Sequence, residues 1–227
     1  MQVTPSYSYI LNDSEFNALY SQAKNMYGEI SRYHLRRSLG AIYSCLAAYP
    51  RVCAMRVDLR FSQDTWGGNP DLPKCFQRTD PAVITRFFES LKSQLKEEHR
   101  RKGMMRDVAL PDYIWVKEQD DSHYPHYHLV LLFNKDVYAY LGNYEDYDAQ
   151  NMANRIQKAW CSALGIGFPE YAMLVHFPKH PTYIFNRNDA VTRSGSYCDF
   201  LLRIAYLAKK RTKFTRPGQR NFGCSQA

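Results

Sequence analysis

The chain has 227 residues, 45% of them hydrophobic and 15% aromatic, enough to bury a core and too apolar for a disordered polymer. Its 30 Lys and Arg against 22 Asp and Glu give a net charge of +8, which favours polyanionic partners, nucleic acid before an anionic membrane. No apolar run approaches the length of a membrane span, and the opening MQVTPSYSYILNDSEF lacks a basic stretch followed by an apolar one, so the expectation is a cytoplasmic protein without a membrane partner. Six cysteines are scattered with no C-x-x-C pair, which argues against a zinc ribbon or a redox dithiol and for reduced structural thiols.

Two helices are expected between residues 13 and 48. Asp13 or Ser14 caps the first, and Phe16, Leu19, Ala23, Met26 and Ile30 recur at helical spacing. The second runs from about Arg32 to Ala48 and stops before Pro50. In RVCAMRVDLRF, Val57, Leu59 and Phe61 alternate with Arg56, Asp58 and Arg60, the pattern of a half-buried strand. Gly67, Gly68, Pro70 and Pro73 mark a loop over 62–79. Asp80-Pro81 opens a helix whose stripe is Ile84, Phe87, Phe88, Leu91 and Leu95, with Gly103 as its stop.

YIWVKEQ at 113–119 and HYHLVLLF at 126–133 read as a hairpin whose turn holds Asp120, Asp121, Ser122 and Pro125. A helix with Met152, Ile156, Ala159, Trp160 and Ala163 on one face stops at Gly165, YAMLVHF at 171–177 reads as a fourth strand, and the last helix spans about Ser196–Lys210. This order predicts an α+β fold of the split, ferredoxin-like kind: an antiparallel sheet with helices on one face, the other face open for a site. Residues 1–49 form an N-terminal helical extension and residues 50–227 the main domain.

Three pieces carry chemistry. His126 and His128 sit two apart on a strand, on one face and roughly 7 Å apart along the chain. Two neutral imidazoles so placed can converge on one cation. Seven histidines make about 0.2 such pairs by chance, so the spacing alone is weak, and two strand histidines bonding to neighbours fit it equally. Glu118 ends the preceding strand, and in a hairpin it reaches the same sheet edge. A carboxylate with two imidazoles suits a divalent ion, Mg²⁺ or Mn²⁺, with positions left for phosphate. Tyr206 lies on the polar side of the last helix with Asp199, Arg203 and Lys210, opposite Tyr197, Phe200, Leu201 and Ile204. Lys209 lies one turn on and can reach a group beside the hydroxyl. A surface aromatic, or a ring stacking on a base, fits the same placement. His123 reads as a turn histidine and His176 as structural.

WVKEQ, PHYHLVLLFN, the AYLAKK helix and the closing RNFGCS together resemble the Rep-type HUH endonucleases, and most closely the inovirus gene II type replication initiators of phages and prophages. The resemblance covers residues 50–227. It implies a ferredoxin-like HUH domain, a divalent metal held by Glu118, His126 and His128, Tyr206 as nucleophile and Lys209 as its companion. It also implies nicking and joining of single-stranded DNA through a 5′-phosphotyrosine, initiating rolling-circle-type replication in a bacterial host cytoplasm. Some members carry two tyrosines on one helix. Here Tyr197 is nine residues away on the core stripe, which implies a single-tyrosine enzyme.

The partners it implies are single-stranded or hairpin DNA, with host replication proteins as further candidates. Arg56, Arg60, Arg203, Lys210, Arg211, Lys213, Arg216 and Arg220 are the candidate DNA-binding cations. Arg100, Arg101 and Lys102 add charge, and Phe214 and Phe222 are candidate stacking rings. Three other readings stay open: a DNA-binding regulator without catalysis, a single-tyrosine transposase, and a zinc hydrolase using His123, His126 and His128.

Overall fold

The computed structural model describes residues 8–62, 76–103, 108–119, 123–211 and 220–226. The expected loop glycines and prolines, the hairpin-turn residues Asp120 to Ser122, and Lys213, Phe214 and Arg216 lie outside them. The elements are α1 (Asp13–Tyr27), α2 (Arg32–Ala48), β1 (Arg51–Leu59), α3 (Val83–Arg101), β2 (Asp112–Glu118), β3 (His126–Asn134), α4 (Met152–Leu164), β4 (Val175–His176), β5 (Thr182–Asn186), α5 (Arg187–Thr192), α6 (Ser196–Leu207) and β6 (Phe222–Cys224). Among the described residues, no helix is long and apolar enough to cross a membrane.

The α+β class and its antiparallel sheet are as expected. The strands run in the order β4-β1-β3-β2-β6, and β5 also pairs with β1. β2 and β3 form the anticipated hairpin, pairing Glu118 with His126 and Val116 with His128. β1 flanks β3 on its other side, setting Asp58 against His128.

Strand alternation divides the side chains between two cores. Cys53, Met55, Val57 and Leu59 of β1 join Leu129, Leu131 and Phe133 of β3 under α3 and α4. Trp160 is the centre of this layer. Its ring is fully buried, edge-on to Phe61, Phe87 and Tyr127, and its indole N–H donates to the Arg60 carbonyl at 2.6 Å. Val52, Ala54, Ile114, Val116, Val130 and Leu132 point the other way, into a second core with Leu35, Ile42 and Leu46 of α2 and Phe200 and Ile204 of α6.

That second core corrects two expectations. The face expected to be open is packed by α1, α2 and α6, and the polar residues are gathered next to Tyr206 of α6. β1 is accordingly not half-exposed: Asp58 is only 6% exposed, because its polar face looks into a covered site rather than into solvent. The extension 13–48 shares one continuous core with the sheet.

Boundaries shift where local hydrogen bonds decide them. Asn12, not Asp13 or Ser14, caps α1 through a reciprocal box with Glu15. Asp80 accepts from the Ala82 N–H, but helical geometry starts only at Val83. YAMLVHF resolves into a short 3-10 turn over Ala172–Leu174 and the two-residue β4. β5, α5 and β6 were not anticipated. α6 ends at Leu207, three residues early, because the backbone at 208–210 bonds to the α1–α2 connector: the Ser31 N–H donates to Ala208 O at 2.8 Å and the Lys210 N–H to Glu29 O at 2.7 Å.

Candidate active site

Three neighbouring strands meet at one end of the second face, and their registers bring Asp58, Glu118, His126 and His128 together. One ligand atom each from Glu118, His126 and His128 lies within 4.8 Å of the others. The two histidine Nε2 atoms are 3.2 Å apart, and His128 Nε2 is 3.5 Å from Glu118 Oε2.

The arrangement around His128 fixes its tautomer. Asp58 Oδ1 lies 2.6 Å from His128 Nδ1. Burial pushes the Asp58 carboxyl up, but hydrogen bonds from His128 and His176 and the Arg56 charge outweigh it and bring the group down to about 2. Asp58 is therefore a carboxylate that can only accept, so His128 Nδ1 carries the proton. In neutral His128 this leaves the Nε2 lone pair directed at Glu118 and His126, the carboxylate–imidazole pairing that orients metal-binding histidines.

Glu118 is 1% exposed and is likewise brought down to about 2: burial raises it, and His128 and Lys209 more than offset that. For His128 itself, burial disfavours the charged form, while Asp58 and Glu118 favour it more strongly and leave the imidazole above its ordinary value. The two carboxylates thus favour positive charge on the imidazole, where a cation can take the place of its proton. One carboxylate and two imidazoles in this geometry fit a divalent ion with several positions left open.

Tyr206 overhangs this pocket from α6. Its ring centroid is 6.3 Å from that of His128. Lys209 Nζ donates to the Tyr206 hydroxyl oxygen at 2.8 Å and lies 3.0 Å from Glu118 Oε2. Burial lowers the Lys209 ammonium, while Tyr206 and Glu118 raise it further, so it stays charged. Lys209 does this from beyond the helix end rather than from within the last turn. Arg56 sits beneath, with its guanidinium carbon 5.9 Å from the Tyr206 centroid and one nitrogen 3.7 Å from Asp58. Arg203, one turn before Tyr206, lies 3.4 Å from the Tyr183 hydroxyl. Tyr197 is fully buried and its phenol is pushed far up by desolvation, the opposite environment.

The remaining candidates disperse. Arg60, Lys210 and Arg211 are exposed near strand and helix ends. Arg220 lines a groove with Phe88, Tyr113 and Trp115, on the α3 side of the sheet. Arg100 and Arg101 share Glu97, and Lys102 shares Glu98 with Arg155, so these cations are drawn into ion pairs along α3. The Phe222 ring stacks on His34 at 4.3 Å. His123 is exposed and outside the metal-type cluster, which removes a ligand from the zinc-hydrolase reading. Sequence reasoning missed Asp58, His176, whose Nδ1 lies 3.3 Å from Asp58 Oδ2, and Tyr27, whose ring meets Tyr206 edge-on at 5.2 Å. In the sequence Asp58 falls on the polar side of an alternating strand, so no local signal singles it out.

Comparison with known proteins places the chain among close relatives. It is 40% identical over 181 residues to the uncharacterized protein YagK of Escherichia coli (strain K12), covering 78% of this chain and 85% of that one. It is 38% identical over 179 residues to the uncharacterized protein YfjJ of the same strain, covering 76% and 83%. No solved structure matches the chain. The model of the YagK/YfjJ C-terminal domain matches residues 12–225, a span that takes in the N-terminal helices as well as the site, and the chain belongs to that family.

Proposed function

We propose that this chain is a metal-dependent endonuclease of the HUH class, similar to inovirus gene II type replication initiators, that nicks single-stranded or hairpin DNA with Tyr206. One observation carries the reading. A single ammonium, that of Lys209, bonds both the Tyr206 hydroxyl and the carboxylate of the candidate metal triad, so nucleophile and cation site share a pocket.

The chemistry follows from the residues. A divalent cation bound there would polarise the scissile phosphate and offset charge developing on its oxygens. Glu118, His126 and His128 would hold that cation, with Asp58 orienting His128. Two imidazoles in the set favour Mn²⁺ over Mg²⁺. Lys209 donates to the phenol oxygen and stabilises negative charge on it as its proton leaves to solvent. The oxygen attacks phosphorus in line, the P–O3′ bond breaks, and the departing 3′ oxygen takes a proton to become a free 3′-OH. The phosphate stays bonded to Tyr206 and to the 5′ carbon, and attack by a later 3′-OH reverses the step. Arg56, with its guanidinium carbon 5.9 Å from the Tyr206 ring centroid, adds positive charge beside the reacting phenol.

The reading makes host replication proteins plausible partners and leaves replication initiation and transposition to be separated by the DNA that is cut. Labelled single-stranded oligonucleotides with Mn²⁺, run on a denaturing gel, test it. A downstream fragment joined to the protein through its 5′ phosphate, lost in Tyr206→Phe and in EDTA, supports it. Binding without adduct supports a DNA-binding regulator instead, and cleavage surviving Tyr206→Phe supports a hydrolase.

A further inference from the structure

Lys209 poses a positioning problem. It lies two residues beyond the end of α6, where its N–H makes a single turn-type bond to the Tyr206 carbonyl at 3.1 Å, yet its ammonium must meet two oxygens at 2.8 and 3.0 Å. The backbone that fixes it comes from the opposite end of the chain. Ile30 forms an isolated antiparallel bridge with Lys209. On either side, the Ser31 N–H donates to Ala208 O and the Lys210 N–H to Glu29 O. Ile30 is 1% exposed, so the connector is itself anchored in the core.

The side chain of Tyr206 is held from the same place. Tyr27, the last residue of α1, lies edge-on to its ring with centroids 5.2 Å apart. Such an edge-to-face pair restricts where the ring can point. α1 is in turn fixed to the main domain: Arg193, at the end of α5, bonds both carboxylate oxygens of Glu15 at 3.1 and 3.0 Å.

We propose that the segment Tyr27 to Ser31 is a positioning device for the tyrosine centre, in which Tyr27 sets the ring of Tyr206 and the Ile30 bridge sets Lys209. Residues 13–48 thereby act on the reaction through Tyr206 and Lys209 without touching the substrate. A displacement near 1 Å at a reacting group costs on the order of 100-fold in rate, so a small loosening of this segment is enough to matter. The inference rests on the reading of Tyr206 as nucleophile.

The test uses the full chain with 3-fluorotyrosine placed at position 206, comparing the parent with Tyr27→Ala, Tyr27→Leu and Tyr27→Phe. Fluorine NMR reads the ring directly and needs no activity. The expected result is one narrow resonance in the parent and Tyr27→Phe, and a broadened or split one in Tyr27→Ala and Tyr27→Leu. In single-turnover adduct formation at saturating oligonucleotide, the unlabelled Ala and Leu variants should slow at least tenfold, with oligonucleotide and Mn²⁺ affinities within twofold of the parent, and Tyr27→Phe should recover the rate. Tyr27→Leu keeps most of the side-chain volume and serves if Tyr27→Ala does not fold. An unchanged fluorine signal in the Leu variant, or a Phe variant as slow as the Leu one, overturns the proposal. A parent protein that forms no adduct overturns the nucleophile reading instead, and the fluorine signal then decides by itself whether Tyr27 positions Tyr206.

Discussion

Asp58 Oδ1 lies 2.6 Å from Nδ1 of His128, although 70 positions separate the two residues in the chain. The contact holds the His128 ring with Nε2 aimed at Glu118 and His126, the orientation that the proposed metal site requires. Removing such an orienting carboxylate characteristically costs 10–100-fold in metal affinity. Asp58→Ala should weaken Mn²⁺ binding by about that factor in calorimetric titration. Asp58→Asn keeps an acceptor for the Nδ1 proton and should lose less. Equal affinity in all three proteins would show that Asp58 does not orient the site.

Lys209→Met removes the ammonium but keeps most of the side-chain volume. The Tyr206 oxygen then loses its donor, and the rate of adduct formation should fall roughly 10²–10³-fold, as when one donor to a developing oxyanion is deleted. Lys209→Arg should recover part of it. The measurement is single-turnover adduct formation at saturating Mn²⁺, so that any change in Glu118 as a ligand is removed from the comparison.

The metal-free protein should be most stable in a window of pH. Asp58 and Glu118 are held down to about 2, so the stability they confer is complete above the ordinary carboxylate range near pH 4 and is lost as pH falls toward 2. His128 is raised, so its contribution is complete below about pH 6.5 and is lost as pH rises through its folded value. In EDTA, thermal melting should therefore fall off on both sides of roughly pH 4–6.5. Mn²⁺ should raise Tm more at pH 8 than at pH 5, because at the lower pH it must displace a proton from His128. A Tm increment from Mn²⁺ that does not depend on pH would contradict this picture.

Gly223 tests the docking of the C-terminal segment. A Cβ there would stand 2.5 Å from Trp115 Nε1, inside contact distance of a rigid indole. Gly223→Ala should destabilise the protein by about 1–3 kcal/mol through overpacking. Urea unfolding should show this as a lower midpoint with an unchanged slope.

The parts of the site that were readable from residues are those with local spacing. His126 and His128 declare a shared face by standing two apart on a strand, and Glu118 follows from a short hairpin whose register the turn constrains. Tyr206 is legible through the contrast with Tyr197 on the same helix. Asp58 was not, because its role depends on the register of β1 against β3 across a long separation, and a strand aspartate otherwise reads as an exposed residue. The open-face expectation failed for a related reason. The stripe Phe16, Leu19, Ala23 on α1 announces burial but not against what, and only the tertiary fold shows it closing over the sheet with α6. β4, β5 and β6 carry two, five and three residues, too few to display a period, and their pairing comes from neighbouring strands.

The most direct check of the account is the chemical identity of the linkage itself. The protein is incubated with a single-stranded oligonucleotide and Mn²⁺, digested with nuclease and protease, and the peptide spanning Ala205 to Lys209 is sequenced by mass spectrometry. The account predicts a nucleotide joined through its 5′ phosphate to the phenol of Tyr206, absent when EDTA is added. A nucleotide on a different side chain, or cut DNA with every tyrosine unmodified, would contradict it.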